Sequence, residues 1–168
     1  MMVYATLLTV ICVGLLVVAA THDLAARTIP NALPALLAGG GFLLHLGTGD
    51  LPATLGAAAV VLFLAALCWV RGWLGGGDVK LLAAAAMVVP VVALPAFILD
   101  VGLAGGLLAL LYLLARRLVP AASVATPVSL AARVWRAECW RIRRGGPLPY
   151  GVAIAAGGVL TLLQGGPT

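Results

Sequence analysis

Long runs of apolar residues constrain this chain more than any other feature of its sequence. The first run, residues 2–20, contains no charged residue, and a helix of about 20 such residues matches the thickness of a bilayer's hydrocarbon core. Over all 168 residues, 64% are hydrophobic and 9% are charged, whereas soluble domains have about 45–50% apolar and about 25% charged residues. Because so few charges cannot cover a water-facing surface, the sequence predicts an all-α, polytopic membrane protein.

Six predominantly apolar segments are predicted to cross the membrane. The stretch from 79 to 115 is too long for one crossing, and Pro90, Pro95 and Asp100 predict that the chain reverses there. The first segment lacks the basic start of a signal peptide, so it is predicted to be a retained helix. We therefore predict one membrane-embedded domain, residues 1–168, with a basic cytoplasmic loop at 116–148 and spans near 2–20, 34–47, 51–70, 79–95, 99–115 and 150–163.

The connections between these segments alternate in charge. The first and third carry Arg27, Arg71 and Lys80, and the fifth carries seven arginines. The second and fourth carry no base, only Asp50 and Asp100. Because Lys and Arg are enriched in cytoplasmic connections, the pattern predicts basic loops in the cytoplasm and both termini outside. Membrane topology thus accounts for the net charge of +5, and no nucleic-acid partner is predicted.

Part of the basic loop, residues 129–144, has an amphipathic pattern at helical spacing. Leu130, Val134, Trp135, Cys139 and Ile142 fall on one arc, and most of the arginines fall on the other. One interpretation is a helix lying on the membrane surface. The alternative is a solvated basic loop.

Two of the four aspartates are predicted to lie at the same end of the protein. Asp23 follows the first span and Asp78 opens the fourth, both on the predicted cytoplasmic side, while Asp50 and Asp100 lie on the other. Two adjacent carboxyls share a proton, so one can activate water while the other polarises a peptide carbonyl and donates to the leaving amine. Asp23 and Asp78 are therefore candidate catalytic residues that need no metal or other cofactor. The structural alternative is that both simply end and begin helices.

Other functions for the pair are left open by the residues alone. Intramembrane acids also form proton or cation relays in transporters, and a non-catalytic assembly subunit is a second alternative. A metal site made of His22, Asp23 and Asp78 is disfavoured, since hard cations usually gather more oxygen ligands. The three cysteines lie far apart without CxxC spacing, so neither a zinc site nor a disulfide framework is predicted.

Three motifs resemble those of the type IV prepilin peptidases, in the same order along the chain. Residues 23–31, DLAARTIPN, resemble the D-x-x-x-x-x-I-P-N segment of that family. GGGDVK at 75–80 is similar to its GxGD motif with the following lysine, and PYGVAIA at 149–155 resembles its last-span signature.

The resemblance implies an aspartyl intramembrane protease of the GxGD type, with Asp23 and Asp78 as the catalytic pair. Such enzymes cut the leader from prepilins or pseudopilins at the cytoplasmic face of the bacterial inner membrane. The chain lacks the CxxC-containing insert of larger members, so N-methylation of the product is not expected. Its size is similar to that of the short members found in Flp/tight-adherence pilus systems.

Residues next to the two aspartates are predicted to support the site or bind the substrate. Gly75 and Gly77 permit close approach of another backbone and unusual dihedral angles, and Pro30 stiffens the turn that follows Asp23. Asp78 itself is predicted to be the N-cap of the fourth helix.

The remaining polar neighbours each have two interpretations. Lys80 either has a role in the site, holding the substrate or tuning Asp78 electrostatically, or anchors the helix at the membrane surface. Asn31 either hydrogen-bonds near the catalytic turn or caps the second helix. His22 is interpreted as an interfacial polar group rather than a proton partner, and Tyr150 is predicted to lie in the interfacial aromatic belt.

Overall fold

The computed structural model describes residues 2–46, 49–119 and 129–165, and all regular structure in those ranges is helical. Its seven α-helices are α1 (Met2–Ala26), α2 (Ala32–His45), α3 (Leu51–Val70), α4 (Gly76–Ala86), α5 (Leu94–Leu118), α6 (Leu130–Arg144) and α7 (Tyr150–Gly165). A short 3-10 helix, Val91–Ala93, precedes α5. The predicted all-α fold is confirmed.

Large apolar side chains cover the outside of the helix bundle. Three helices, α1, α3 and α5, are long and apolar enough to cross a membrane, and α2 and α7 are shorter apolar helices. A continuous apolar exterior of this kind is stable only in lipid or against another apolar surface. These helices agree with the prediction of a polytopic membrane protein. Exposed side chains of this surface include Leu7, Val17, Val60, Phe63, Leu103, Leu107 and Leu114.

Helix α4 is short and buried, unlike the single helix predicted for residues 79–95. Its 11 residues rise only about 16 Å, well short of a bilayer core of about 30 Å. Pro90 cannot continue a helix, and the chain turns before it with Val88 and Val89 buried. The end of α4 lies against α2 at Gly41, where a Cβ would be 2.4 Å from the Met87 carbonyl oxygen. The small residues of α4 thus let it pack inside the bundle.

Helix α1 extends further than predicted, to Ala26 rather than to residue 20. No proline or glycine interrupts the helix between these positions, and it ends only where Arg27 adopts a left-handed φ of 56°. Asp23 therefore lies inside the last turns of α1, beyond the end of the predicted first span.

Helix α5 begins before the predicted fifth span, because Pro95 fits its first turn instead of breaking it. Asp100, predicted in a connection, is consequently inside α5. Its Oδ2 accepts a hydrogen bond of 3.0 Å from the Thr161 hydroxyl of α7, which satisfies both polar groups between the two helices.

Helix α7 packs closely against both α1 and α5 and also contacts α4. A Cβ at Gly157 would lie 2.7 Å from the backbone nitrogen of Val101, and one at Gly158 would lie 3.0 Å from Leu16. Small residues at such crossings let helix backbones approach. By contacting α1 and α4 together, α7 brings the two aspartate-bearing helices to one end of the bundle.

The amphipathic segment is a helix, α6, and not an irregular loop. The Ser129 side chain accepts a hydrogen bond of 3.2 Å from the Ala132 nitrogen, and Gly145 ends the helix with a φ of 66°. The residue that α6 buries is Glu138, which the predicted apolar arc did not include. Helix α6 contacts α1 and α5, so it lies over the end of the bundle that holds Asp23.

Candidate functional site

Asp23 is buried at the junction of α1 and α7. Only 6% of its surface is exposed, and its Oδ2 accepts a hydrogen bond of 2.9 Å from the Gly151 nitrogen. Gly151 lies in the first turn of α7, where backbone N–H groups have no partner within the helix and the helix dipole favours negative charge. The Asp23 carboxylate of α1 therefore accepts a hydrogen bond from an N–H group that has no partner within α7.

Asp78 is half-buried in the first turn of α4. The predicted N-cap role is wrong: Gly75 is the N-cap, and Asp78 stands three residues later, at the third helical position. Its Oδ2 accepts a hydrogen bond of 3.3 Å from the Gly75 nitrogen. A carboxylate in that position accepts a hydrogen bond that closes the first turn of the helix and interacts favourably with the positive end of the helix dipole.

The two carboxyls are close enough to interact electrostatically. Asp78 lies just before the predicted fourth span. Burial raises the pKa of Asp78 to about 6, and the negative charge of Asp23 is the second cause of this increase. The hydrogen bond from Gly75 and the charge of Arg27 act in the opposite direction on this pKa. Asp78 can therefore hold a proton at a pH where an exposed carboxyl is fully ionised.

The segment after Asp23 packs directly on the segment around Asp78. A Cβ at Gly77 would lie 3.3 Å from Ile29 Cβ, so the Ile29 side chain packs closely on the Gly77 backbone. Gly75 has an extended conformation, with φ −75°, and needs no glycine-specific dihedral angle.

Lys80 and Asn31 join the same two segments through their side chains. Lys80 Nζ donates to Asn31 Oδ1 at 2.9 Å, and the Asn31 side chain makes no capping hydrogen bond to α2. The Asn31 side chain thus binds Lys80 instead of capping α2. Pro30 lies in that turn, where its carbonyl accepts from the Leu33 nitrogen at 3.0 Å.

Gly151 and Tyr150 contribute to the site in ways that the motif alone did not assign. A Cβ at Gly151 would lie 2.9 Å from Asp23 Oδ2 and 3.1 Å from its Cβ. Tyr150 is half-buried against Gly105 of α5, where a Cβ would lie 2.9 Å from its ring. Tyr150 therefore packs between helices at the start of α7.

A buried ionic cluster covers the end of α1. Glu138 of α6 accepts hydrogen bonds from Arg27, from the Tyr112 hydroxyl and, at 3.1 Å, from Arg141. These four residues are called the Glu138 cluster below. The charges of Arg27, Glu138 and Arg141 all act on Asp23, and the charge of Arg27 also lowers the pKa of Asp78.

The other polar candidates lie outside this arrangement. His22 Nδ1 is 2.6 Å from the Thr28 carbonyl oxygen, a local bond between α1 and the turn that follows it. Asp50 precedes α3, and Asp100 binds Thr161. Within the described ranges, no three His, Cys, Asp or Glu side chains gather as metal ligands would.

An apolar groove begins beside the Lys80–Asn31 hydrogen bond and runs between α2, α3 and α4. Its volume is about 520 Å³. The walls are formed mainly by alanines, which leave room for a bulky partner to approach the helix backbones. The lining residues are Asn31, Pro34, Ala35, Ala38, Leu55, Ala58, Ala59, Leu62, Lys80, Ala83, Ala84 and Met87.

Comparison with protein families gives one match. The model of the type IV leader peptidase family matches residues 10–110, which is more than half of the chain and includes both Asp23 and Asp78. Comparisons with curated proteins and with solved structures found no match. Glu138 and Gly151 lie beyond the matched residues.

Proposed function

Because the chain belongs to the type IV leader peptidase family, we propose that it is an aspartyl peptidase that removes the leader from type IV or Flp-type prepilins or pseudopilins. The observation that carries this proposal is the electrostatic proximity of a buried aspartate, Asp23, and a half-buried one, Asp78, from distant segments. Asp23 and Asp78 lie close enough for the charge of one to raise the pKa of the other. That is the arrangement an acid–base pair of carboxyls needs.

The raised pKa of Asp78 suggests different roles for the two carboxyls, with the shared proton on Asp78. Asp23 accepts the Gly151 N–H, a bond suited to an ionised carboxylate. Asp23 takes a proton from water while the water oxygen attacks the scissile carbonyl carbon. Asp78, which is protonated, donates a hydrogen bond to the carbonyl oxygen and gives its proton to the leaving amine as the C–N bond breaks. Transfer of the proton from Asp23 to Asp78 then restores the starting state.

The same end of the bundle is proposed to face the cytoplasm. Arg27, Lys80 and Arg141 lie at this end with the carboxyl pair, and basic residues are concentrated on the cytoplasmic side of membrane proteins. The protein would then sit in the bacterial cytoplasmic membrane and reach the leader from the side on which prepilins are made. Without a CxxC-containing insert, the reaction would end at cleavage, with no N-methylation.

Cleavage of a prepilin substrate by the membrane-embedded protein tests this function directly. We expect the wild-type protein to release the leader from a prepilin and to leave an otherwise identical protein without a leader uncut. A proton or cation relay would instead give acid-dependent flux with the substrate intact. That result would exclude the peptidase.

The activity is expected to fall as pH rises above about 6. The proposed reaction needs a proton on Asp78, whose pKa is raised to about 6, so each further pH unit removes about nine-tenths of the protonated form. Activity also falls at acidic pH, where the ionised partner takes up a proton. The groups facing Asp78 are Asp23, Arg27 and Tyr150. Steady-state rates across the pH range measure both limbs; an upper limb near the pKa of an exposed carboxyl, 3.8, would contradict the proposed pair.

The apolar groove is proposed to hold the apolar segment that follows the leader. It starts at Lys80 and Asn31, beside the carboxyl pair, and the rest of its lining is apolar. An apolar helix lying there would present the peptide bond at its polar end to the two aspartates. Lys80 would then contact the substrate near the point of cleavage.

Filling this groove is expected to weaken substrate binding more than it slows the chemical step. Ala59 lines the groove and is exposed, so Ala59→Phe adds bulk there without disturbing the core. We expect KM to rise about tenfold or more with a smaller change in kcat. Val60 is exposed on the same helix and is not part of the lining. Val60→Phe is therefore the matched control, and equal effects of the two variants would argue against the groove.

A further inference from the structure

Glu138 is buried although it belongs to the most basic helix of the chain. Helix α6 contains five arginines and this single acid, yet only 6% of Glu138 is exposed. A carboxylate in such a place is stable only when its oxygens are paired. Both are: Oε1 accepts from Arg27 and from the Tyr112 hydroxyl, and Oε2 accepts from Arg141.

One partner of Glu138 holds the last turn of α1. The Arg141 guanidinium donates to the Leu24 carbonyl oxygen at 3.1 Å and to the Ala25 carbonyl oxygen at 3.3 Å. Carbonyls at the end of a helix have no partner within it, so Arg141 supplies a missing donor. Asp23 precedes these two residues directly, and its carboxyl therefore moves with the turn that Arg141 fixes.

The other charged partner ties α1 to the entry of α7. The backbone nitrogen of Arg27 donates to the Asp23 carbonyl oxygen at 2.8 Å. Its guanidinium also donates to the Pro147 carbonyl oxygen at 2.7 Å, shortly before Gly151 supplies its N–H to the Asp23 carboxylate. Glu138 thus holds the arginine that connects both sides of the Asp23–Gly151 hydrogen bond.

We propose that Glu138 is a positioning residue for cleavage: through Arg27 and Arg141 it fixes the Asp23 carboxyl against Gly151, and it offsets the positive charge that Arg27 places beside the carboxyl pair. Glu138 touches neither substrate nor reacting atoms. The inference rests on the proposed function, because it assigns the role relative to the Asp23–Asp78 pair.

Charge balance gives this role a signature that packing alone would not produce. The charge of Arg27 lowers the pKa of Asp78, and the Glu138 carboxylate bound to Arg27 opposes that effect. Without the carboxylate, Arg27 acts on Asp78 uncompensated and the pKa of Asp78 falls further. The upper limb of the pH profile then moves to lower pH. The charged and titratable groups facing Asp78 are Asp23 and Arg27 at the end of α1 and Tyr150 of α7.

The test compares Glu138→Gln and Glu138→Ala with the wild type in membranes, using a prepilin as substrate. Glu138→Gln is expected to lower kcat about tenfold, with little change in KM, and to move the upper pH limb down by about one unit. Glu138→Ala, which also removes the hydrogen bonds, is expected to lower kcat about 10²-fold. Arg143 is exposed on the same helix, and Arg143→Gln, which also removes one charge, is expected to behave like the wild type.

Thermal unfolding of each variant separates positioning from folding. A Glu138→Gln variant with wild-type kcat and pH limb would overturn the proposal, and so would a variant that loses only folded protein while the remaining enzyme keeps both. If Glu138→Gln does not fold, Glu138→Asp is the deciding variant, because it retains the charge. A reduced kcat with an unshifted upper pH limb would support the positioning role. A wild-type kcat would overturn the proposal. Intact substrate with the wild type would remove the proposed function as well, which distinguishes the two failures.

Discussion

Replacement of Asp23 or of Asp78 by asparagine is expected to lower kcat for leader cleavage by at least about 10³-fold. Asparagine keeps the shape of the side chain and can still accept the Gly151 N–H or the Gly75 N–H. It cannot take a proton from water or share one with its neighbour. The variants should therefore fold and bind substrate with nearly unchanged KM while the chemical step is lost.

The matched control for this pair is Asp50→Asn. Asp50 precedes α3 and has no place in the carboxyl pair, so the same chemical change there should leave kcat within a few-fold of the wild type. Initial rates with a purified prepilin in membranes or detergent measure all three variants. Cleavage by Asp23→Asn or Asp78→Asn at the wild-type rate would exclude the two-aspartate mechanism.

Gly151→Ala is expected to produce the second large effect, a loss of kcat of about 10²-fold. The added Cβ would lie 2.9 Å from Asp23 Oδ2, closer than Cβ atoms approach such neighbours, and 3.1 Å from Asp23 Cβ. Because α7 is packed against α1 and α5 along its length, the Asp23 side chain is the part that must move. Its hydrogen bond to the Gly151 nitrogen is then lost, and the carboxyl leaves the position that faces Asp78.

Gly106→Ala is the corresponding control, since a Cβ at Gly106 would meet nothing within 4 Å. Alanine is also the better helix former, so this variant should be as active and at least as stable as the wild type. The comparison uses kcat together with thermal unfolding. Equal activity of Gly151→Ala and Gly106→Ala would show that the close contact at Asp23 is unimportant for the reaction.

The carboxyl pair could be predicted from the sequence because charge is rare in it. With 9% charged residues, each acid at a span boundary stands out, and the alternating loop charges predict that Asp23 and Asp78 lie on one side. The IPN and GxGD segments point to the same two residues. In the structure these segments pack on each other through Gly77 and Ile29, as expected for parts of one site.

Helix boundaries were less predictable, because hydropathy does not distinguish lipid from protein interior. Residues 79–95 are as apolar as a membrane span, yet α4 ends at Ala86 and is buried among other helices. The charge of Asp100 predicted a connection, whereas the Thr161 hydroxyl donates a hydrogen bond to Asp100 within α5. A polar group can occupy a span when a distant residue supplies its partner, and sequence spacing does not reveal that partner.

Glu138, beside the carboxyl pair, is a second polar group whose partners sequence spacing does not reveal. Its sequence signal was weak: one acid within a run of arginines, the pattern of a solvated face. Its burial depends on Arg27 and Tyr112, which lie 111 and 26 residues away.

Hydropathy and loop charge by themselves determined that this chain is an all-α membrane protein with two eligible aspartates, since both depend on composition along short segments. Only the tertiary structure decided what surrounds those aspartates: the Gly151 N–H on Asp23, the first turn of α4 around Asp78 and the Glu138 cluster over the end of α1. These are contacts between distant segments. Their free energy comes from burial and from hydrogen bonds whose partners depend on how the helices pack. The apolar periodicity of a single helix does not show how the seven described helices pack together.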